Sequence, residues 1–290
     1  MAEGVAARAT AVAILTGVLG EGRMLSEVDG SDLAPSDRAR ALRLAGTVLR
    51  HLEQADRVLD RHLRKAPPLA VRNVLRLAVV ERASGAAAHG VVNAAVEIVR
   101  RERRTAHLAG LVNAVLRAVP ETGLFDGLPP QRLPRWLRQP LVHAYGRDAV
   151  TAIEAVQAGE PTLDLTLRPG FPGPEGAVLP TGSLRLAAPG QISSLPGYAT
   201  GGWWVQDAAA ALPARLLDAQ AGESVLDLCA APGGKTLQLA ATGAQVTALD
   251  ISAPRMARVE ANLARAGLAA RVVVADALDW QPEQRFDAIL

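Results

Sequence analysis

The spacing of apolar residues changes partway along this 290-residue chain, and the change divides it into two kinds of structure. Up to Val119 the apolar residues recur every three or four positions. Ala41, Leu42, Ala45, Val48, Leu49 and Leu52 share one helical face, with Arg40, Arg43, Arg50 and Glu53 mostly opposite. The pattern returns in Val71, Val74, Leu75, Ala78 and Val79, in Val91, Ala95, Ile98 and Val99, and in Leu108, Leu111, Val112, Val115 and Leu116. Pro67-Pro68 and the stretch 84–90 punctuate these segments. An all-α bundle of about six helices is expected. From Glu223 the apolar residues fall instead into short runs, SVLDLCA, QVTALD, RVVVAD and FDAIL. Helical segments separate them, one from Lys235 and one over Pro254 to Ala266, with Gly267 as its stop. Strand and helix alternating at this spacing predict a parallel sheet with right-handed crossovers. The expected fold is an all-α N-terminal bundle followed by an α/β Rossmann-type domain, incomplete where the chain stops at Leu290.

Between the two lies a different composition. Pro120, Gly123, Gly127 and Pro129-Pro130 read as a linker, followed by a short helical piece around Trp136 to Tyr145 and a helix from Asp148 to Ala158. Residues 161–202 hold 7 Pro and 8 Gly, which excludes a long helix and leaves short strands and turns. Leu163, Leu165 and Leu167 alternate with Asp164, Thr166 and Arg168, the pattern of a half-buried strand. The expected division is 1–130 helical, 131–202 linker and small α/β region, and 203–290 Rossmann-type.

With 49 % hydrophobic residues the chain can bury a sizeable core, and with 3 % aromatics that core is mostly Ala, Leu and Val. No apolar run reaches the roughly 18 residues that span a bilayer, and the N-terminus lacks the basic region of a signal peptide. The single cysteine, Cys229, excludes an intrachain disulfide and a cysteine metal cluster. The five histidines, His51, His62, His89, His107 and His143, are not paired at metal-ligand spacing and read as structural, so no metal is expected. A cytoplasmic monomer fits best. Residues 1–140 carry 21 Lys and Arg against 14 Asp and Glu, whereas 141–290 carry 10 against 15. A basic half joined to an acidic half suggests that the first meets a polyanion, although an Arg-rich solvated surface would look the same.

The segment Asp227-Leu228-Cys229-Ala230-Ala231-Pro232-Gly233-Gly234-Lys235-Thr236 joins the first strand to the next helix. Its small residues let backbone approach a ligand, and the helix start favours an acceptor group. The second strand ends in Asp250, placed for ribose hydroxyls, and the third in Asp276, near where an adenine amino group would lie. Three ligands compete. A Walker A loop shares Gly234-Lys235-Thr236, but its first glycine would fall on Cys229. The G-x-G-x-x-G of nicotinamide binders is absent. S-adenosylmethionine needs a small-residue turn and a ribose-binding acid, and every position agrees. Only two lysines, Lys65 and Lys235, stand against 29 arginines, a bias that suggests an ammonium is needed at Lys235, although chance would explain a single residue as well. Cys229 sits at the strand–loop corner and reads as a small cofactor-lining residue rather than a nucleophile.

DLCAAPGGKT resembles the cofactor motif of RNA cytosine-5 methyltransferases, and Val205-Gln206-Asp207 with the Ala-rich segment after it resembles what precedes that motif. VLRHLEQADRVLDRHL, VRNVLRLAVVERASGAAAHGVVNAAVEIVRR and LAGLVNAVLRAV resemble the RNA-binding NusB domain. The pairing is similar to bacterial 16S rRNA methyltransferases of the RsmB (Sun/Fmu) type; the likeness is weak over 161–200, where LDLTLRP departs from the family's pattern. The resemblance implies that Cys229, Ala230, Ala231, Pro232, Gly233, Gly234, Lys235, Asp250 and Asp276 line S-adenosylmethionine, and that 16S rRNA is the partner. It implies that a cysteine thiolate adds to cytosine C6 so that C5 can take the methyl group, on a base extruded from its stack. The family's two catalytic cysteines are expected beyond Leu290, so no catalytic residue is assigned in this chain. Arg100, Arg101, Arg103 and Arg104 are the candidate RNA contact. The rival reading is a NusB-like module that binds RNA or a transcription or ribosome-assembly partner without catalysis.

Overall fold

The computed structural model describes residues 4–25, 34–187 and 192–290. It divides into two compact units, Met1–Glu160 and Pro161–Leu290. The expected middle region is therefore shared out: 131–160 joins the helices, and 161–202 joins the strands.

The first unit begins with six helices, α1 (Val5–Glu21), α2 (Pro35–Arg50), α3 (Leu52–Asp60), α4 (Leu69–Ala83), α5 (Ala88–Arg101) and α6 (Ala109–Ala118). Helix α4 is central. Val71, Val74, Leu75, Leu77, Ala78, Val79 and Val80 are all buried, so it is apolar around most of its circumference. Leu15 of α1, Leu59 of α3, and Val112 and Leu116 of α6 pack in the same cluster. Each such Leu stabilises the unit by about 1.5–3 kcal/mol. The charges that α4 buries are partnered, as burial demands, except that the Nε of Arg82 has no partner. Arg76 donates to both carboxylate oxygens of Asp56 (2.8 and 2.7 Å), and Arg8 to both of Glu81 (2.7 Å each). Arg82 reaches the carbonyls of Leu116 (2.8 Å) and Pro120 (2.7 Å), tying the end of α6 to the core. Two further helices, α7 (Arg135–Tyr145) and α8 (Arg147–Ala158), turn on Gly146, whose φ of 83° suits glycine. Helix α7 has no fully buried residue, and α8 has only Val150 and Glu154.

The second unit starts with an antiparallel sheet in the order β2-β3-β1-β4, formed by β1 (Leu163–Leu167), β2 (Ala177–Val178), β3 (Leu184–Leu186) and β4 (Trp203–Val205). The alternation in β1 predicts one wet face, and this is corrected: Asp164 and Thr166 are buried as well as Leu165. Asp164 is buried because Arg185, across the register on β3, forks onto it with Nε at 2.7 Å and Nη2 at 2.8 Å, while Ala208 N–H donates at 3.2 Å. After α9 (Ala208–Leu217), N-capped by the Asp207 carboxylate, come β5 (Ser224–Leu228), α10 (Gly234–Ala240), β6 (Gln245–Asp250), α11 (Ala253–Ala266), β7 (Arg271–Val274) and β8 (Ala288–Ile289). These strands form a parallel sheet in the order β7-β6-β5-β8. The two sheets are joined through the C-terminal end of α11. Arg265 donates to the carbonyls of Tyr198 (2.9 Å) and Trp203 (3.1 Å), and Arg168 to that of Ala266 (3.1 Å).

Candidate functional site

In the order β7-β6-β5-β8 the chain runs outward from β5 to β7 on one side, then crosses to place β8 on the other. The carboxyl end of β5 is therefore the point where strand order reverses, where open α/β sheets bind ligands. The loop Cys229–Gly233 leaves from there. Cys229 is exposed and takes φ 57°, a left-handed value rare for a side-chain-bearing residue. Ala231-Pro232 is a cis peptide, and Gly233 has φ 103°. The φ of Gly233 suits glycine, and the space beside it is tight, since a Cβ would lie 3.2 Å from Val259 Cγ1 and 3.3 Å from its Cα. Ala230 and Ala231 are buried against Met256 and Val259.

The loop is held from outside its own sequence. Asp250, at the end of β6 and 3 % exposed, accepts the N–H of Ala231 at 3.2 Å and of Ser252 at 2.9 Å. Arg255 donates to the Ala231 carbonyl at 2.6 Å and lies 3.6 Å from Asp250 Oδ2. Asn262 donates to the Pro232 carbonyl at 3.2 Å. Arg255, Val259 and Asn262 occupy positions i, i+4 and i+7 of α11, a single helical face turned to the loop. Sequence reasoning does not find these three; the face spacing was the available signal. Gln206 braces the other side, accepting from Trp204 Nε1 (3.0 Å) and donating to Gln238 (3.1 Å).

Beneath the loop, Asp227 is fully buried. Thr236 donates to its Oδ2 at 2.6 Å, while Oδ1 has no partner. Burial pushes this carboxyl above its ordinary range, with Asp250 adding to the rise and Thr236 and half-buried Lys235 opposing it. Lys235 thus has a local electrostatic role at the start of α10. Asp276 falls two residues past β7, half-exposed, and its carboxylate accepts the Leu278 N–H at 2.9 Å. The loop, Lys235 and Asp250 thus gather around the ends of β5 and β6, and Asp276 lies beyond β7, one strand further out. In the first unit, Arg100, Arg101, Arg103 and Arg104 are all exposed at the end of α5, with Arg101 paired to Glu97.

Residues 5–121 match the NusB family, and residues 214–290 match the family described as 16S rRNA methyltransferase RsmB/F. "Ribosomal RNA small subunit methyltransferase B" of Klebsiella pneumoniae is 36 % identical over 200 residues, covering 67 % of this chain and 43 % of that protein. The protein of the same name from Citrobacter koseri is 40 % identical over 165 residues, covering 55 % and 35 %. The chain thus spans less than half the length of these relatives. The crystal structure of PH0851 covers 96 % of this chain and 71 % of that one, with a TM-score of 0.65 at 19 % identity, a likeness of fold. The likeness to the NusB family thus falls on the helical bundle, and the likeness to the 16S rRNA methyltransferase RsmB/F family falls on the parallel sheet.

Proposed function

We infer that the parallel sheet binds S-adenosylmethionine, and that the protein serves methyl transfer to C5 of a cytosine in 16S rRNA held by the helical bundle. The observation that carries this is the left-handed, glycine-dependent loop at the strand-order reversal, with a buried carboxylate at the end of the adjacent strand. The residues present fit the group. Cys229, Ala230, Ala231, Pro232, Gly233, Gly234 and Lys235 offer close backbone with small side chains. Each oxygen of Asp250 accepts one N–H in the fold, which leaves capacity for hydroxyl donors. Asp276 is assigned to the adenine side. The cofactor supplies an electrophilic methyl group on a sulfonium.

This chain's residues then bind and orient. The loop fixes the donor against the sheet, Asp250 keeps the loop in its left-handed form, and Arg100, Arg101, Arg103 and Arg104 engage RNA phosphates. C5 of cytosine becomes nucleophilic when a thiolate adds to C6. Cys229, the one thiol in the 290 residues, is built into the cofactor loop. The chain alone is therefore expected to bind the donor without methylating. A cytoplasmic monomer fits a ribosomal RNA substrate. Calorimetry tests the reading: S-adenosylmethionine binds, and ATP and NAD do not compete. Tight ATP binding with no response to the methyl donor refutes it.

A further inference from the structure

Arg132, Arg135, Arg138 and Arg147 lie on and beside the α7–α8 hairpin, well away in sequence from the arginines at the end of α5. All four line one cleft of about 510 Å³, and three of them, Arg132, Arg138 and Arg147, also line a second of about 170 Å³. Three arginines therefore line both cavities.

Arg138 is anchored. Glu154, 2 % exposed, accepts Arg138 Nε at 2.8 Å, its Nη2 at 3.3 Å and the Leu133 N–H at 2.9 Å. Burial alone would raise the Glu154 carboxyl, but these bonds together with nearby Arg132 hold it below its usual range, so it stays ionised. One buried carboxylate thus fixes the approach to α7 against α8. The side chains of Arg132, Arg135 and Arg147 are exposed and make no hydrogen bond or ion pair among the described residues. The larger cleft's one acid, Glu53, lies 4.0 Å from Arg57. The clefts keep a net positive charge, presented by planar forks that match phosphate oxygens. Outside the cleft linings, Trp136, 75 % exposed, and Tyr145, 67 % exposed, offer aromatic faces near the two ends of the same helix, which suit bases rather than an acidic peptide.

We propose that the α7–α8 clefts are a second RNA-binding site, in which Arg132, Arg135 and Arg147 grip backbone phosphates beside an Arg138 pre-set by Glu154. The assignment rests on the RNA-binding function proposed above and adds a surface outside the NusB-like bundle. The test is fluorescence anisotropy of the whole chain with a labelled single-stranded RNA of small-subunit sequence, over a range of salt. Arg132→Gln/Arg147→Gln weakens binding by about tenfold and lowers the slope of log affinity against log salt by about 1.4, close to 0.7 for each single-strand phosphate lost. Arg132→Lys/Arg147→Lys restores most of the slope, and thermal melting stays at the unmodified value. Should the double variant melt early, Arg135→Gln gives the same readout with one exposed residue changed.

Unchanged affinity and slope in these variants, with the unmodified chain still binding, overturns the cleft and leaves the RNA function standing. No salt-dependent RNA binding by the unmodified chain overturns both. Loss of polyglutamate binding with RNA affinity intact reassigns the cleft to an acidic protein segment and overturns the proposal.

Discussion

Replacing Asp250 separates two roles that the structure superimposes on one carboxylate. In the fold, Asp250 accepts the buried N–H of Ala231 at 3.2 Å and the half-buried N–H of Ser252 at 2.9 Å. A hydrogen bond to a charged acceptor contributes about 1.5–3 kcal/mol, and both donors would be orphaned in Asp250→Ala. Removing the charge recovers part of the cost of burying it. The Arg255 contact, at 3.6 Å with Arg255 49 % exposed, adds little. The net loss is about 2–4 kcal/mol. Urea unfolding reads it through the fluorescence of Trp204, which is 2 % exposed and packs with Ala230 and Ala231. Asp250→Asn keeps one acceptor oxygen and loses less stability, while giving up the charge that two ribose hydroxyls would share. Its affinity for S-adenosylmethionine is expected to fall by about ten- to a hundredfold at a temperature where it is fully folded. Wild-type affinity in a folded Asp250→Asn protein would refute the ribose assignment and leave Asp250 as a brace for the loop.

Three further outcomes are expected. Gly201→Ala should prevent stable folding of the second unit, because φ is +66° and a Cβ would lie 2.3 Å from Ala266 Cα and 2.3 Å from the Arg265 carbonyl oxygen; a melting temperature close to the parent's would contradict this. Desolvation raises the carboxyls of half-buried Asp56 and buried Glu154, but arginine hydrogen bonds outweigh this and hold both below their usual 3.8 and 4.5, and the Arg185 fork does the same for Asp164. Lowered folded values mean stability fully present above the usual values and lost as pH falls through the folded ones, so thermal melts should drop from about pH 4 downward, with a shallower drop in Asp56→Asn. Cys229→Ser should leave methyl-donor affinity unchanged, and neither form of the 290-residue chain should label small-subunit rRNA with a methyl group; label in C5-methylcytosine would place the catalytic thiol at Cys229 after all.

The helical half was legible because its period is local. Apolar residues at i, i+3 and i+4 report a buried face whatever the partner, and the sets named from the sequence lie on helices of the bundle, except that Leu52 falls past a break at His51, on α3, and Leu108 in the turn before α6. The parallel sheet was legible for a second local reason. Its strands are apolar runs bounded by glycine or aspartate, and β5, β6 and α11 begin or end within a residue or so of where those runs predict. Strand β1 misled for the same reason turned round. Alternation reports a wet face only when the polar residues meet water, and Asp164 meets Arg185 instead, twenty-one residues on. No local pattern distinguishes a solvated aspartate from one whose partner lies across a sheet.

The candidate site shows where that limit falls. The loop residues and Asp250 could be named because their conformational demands are written in their own side chains: no Cβ at Gly233, a short acid at a strand end. What holds the loop was not readable, because Arg255, Asn262 and Gln206 act on main-chain carbonyls or on other side chains that carry no sequence signature of the contact. Their spacing on α11 is compatible with any amphipathic helix, and only the crossover that lays α11 beside the loop gives it meaning. The buried Asp227 extends the argument. Its raised carboxyl costs stability once ionised, since a group with a raised folded value favours the native state only while protonated. The fold accepts that cost directly beneath the loop, where Thr236 and Lys235 both bear on it. Lys235→Met should therefore raise the Asp227 value further, a shift that carbonyl-selective NMR titration would read. An unmoved titration would mean that Lys235 is turned to the ligand and not to the carboxyl below it.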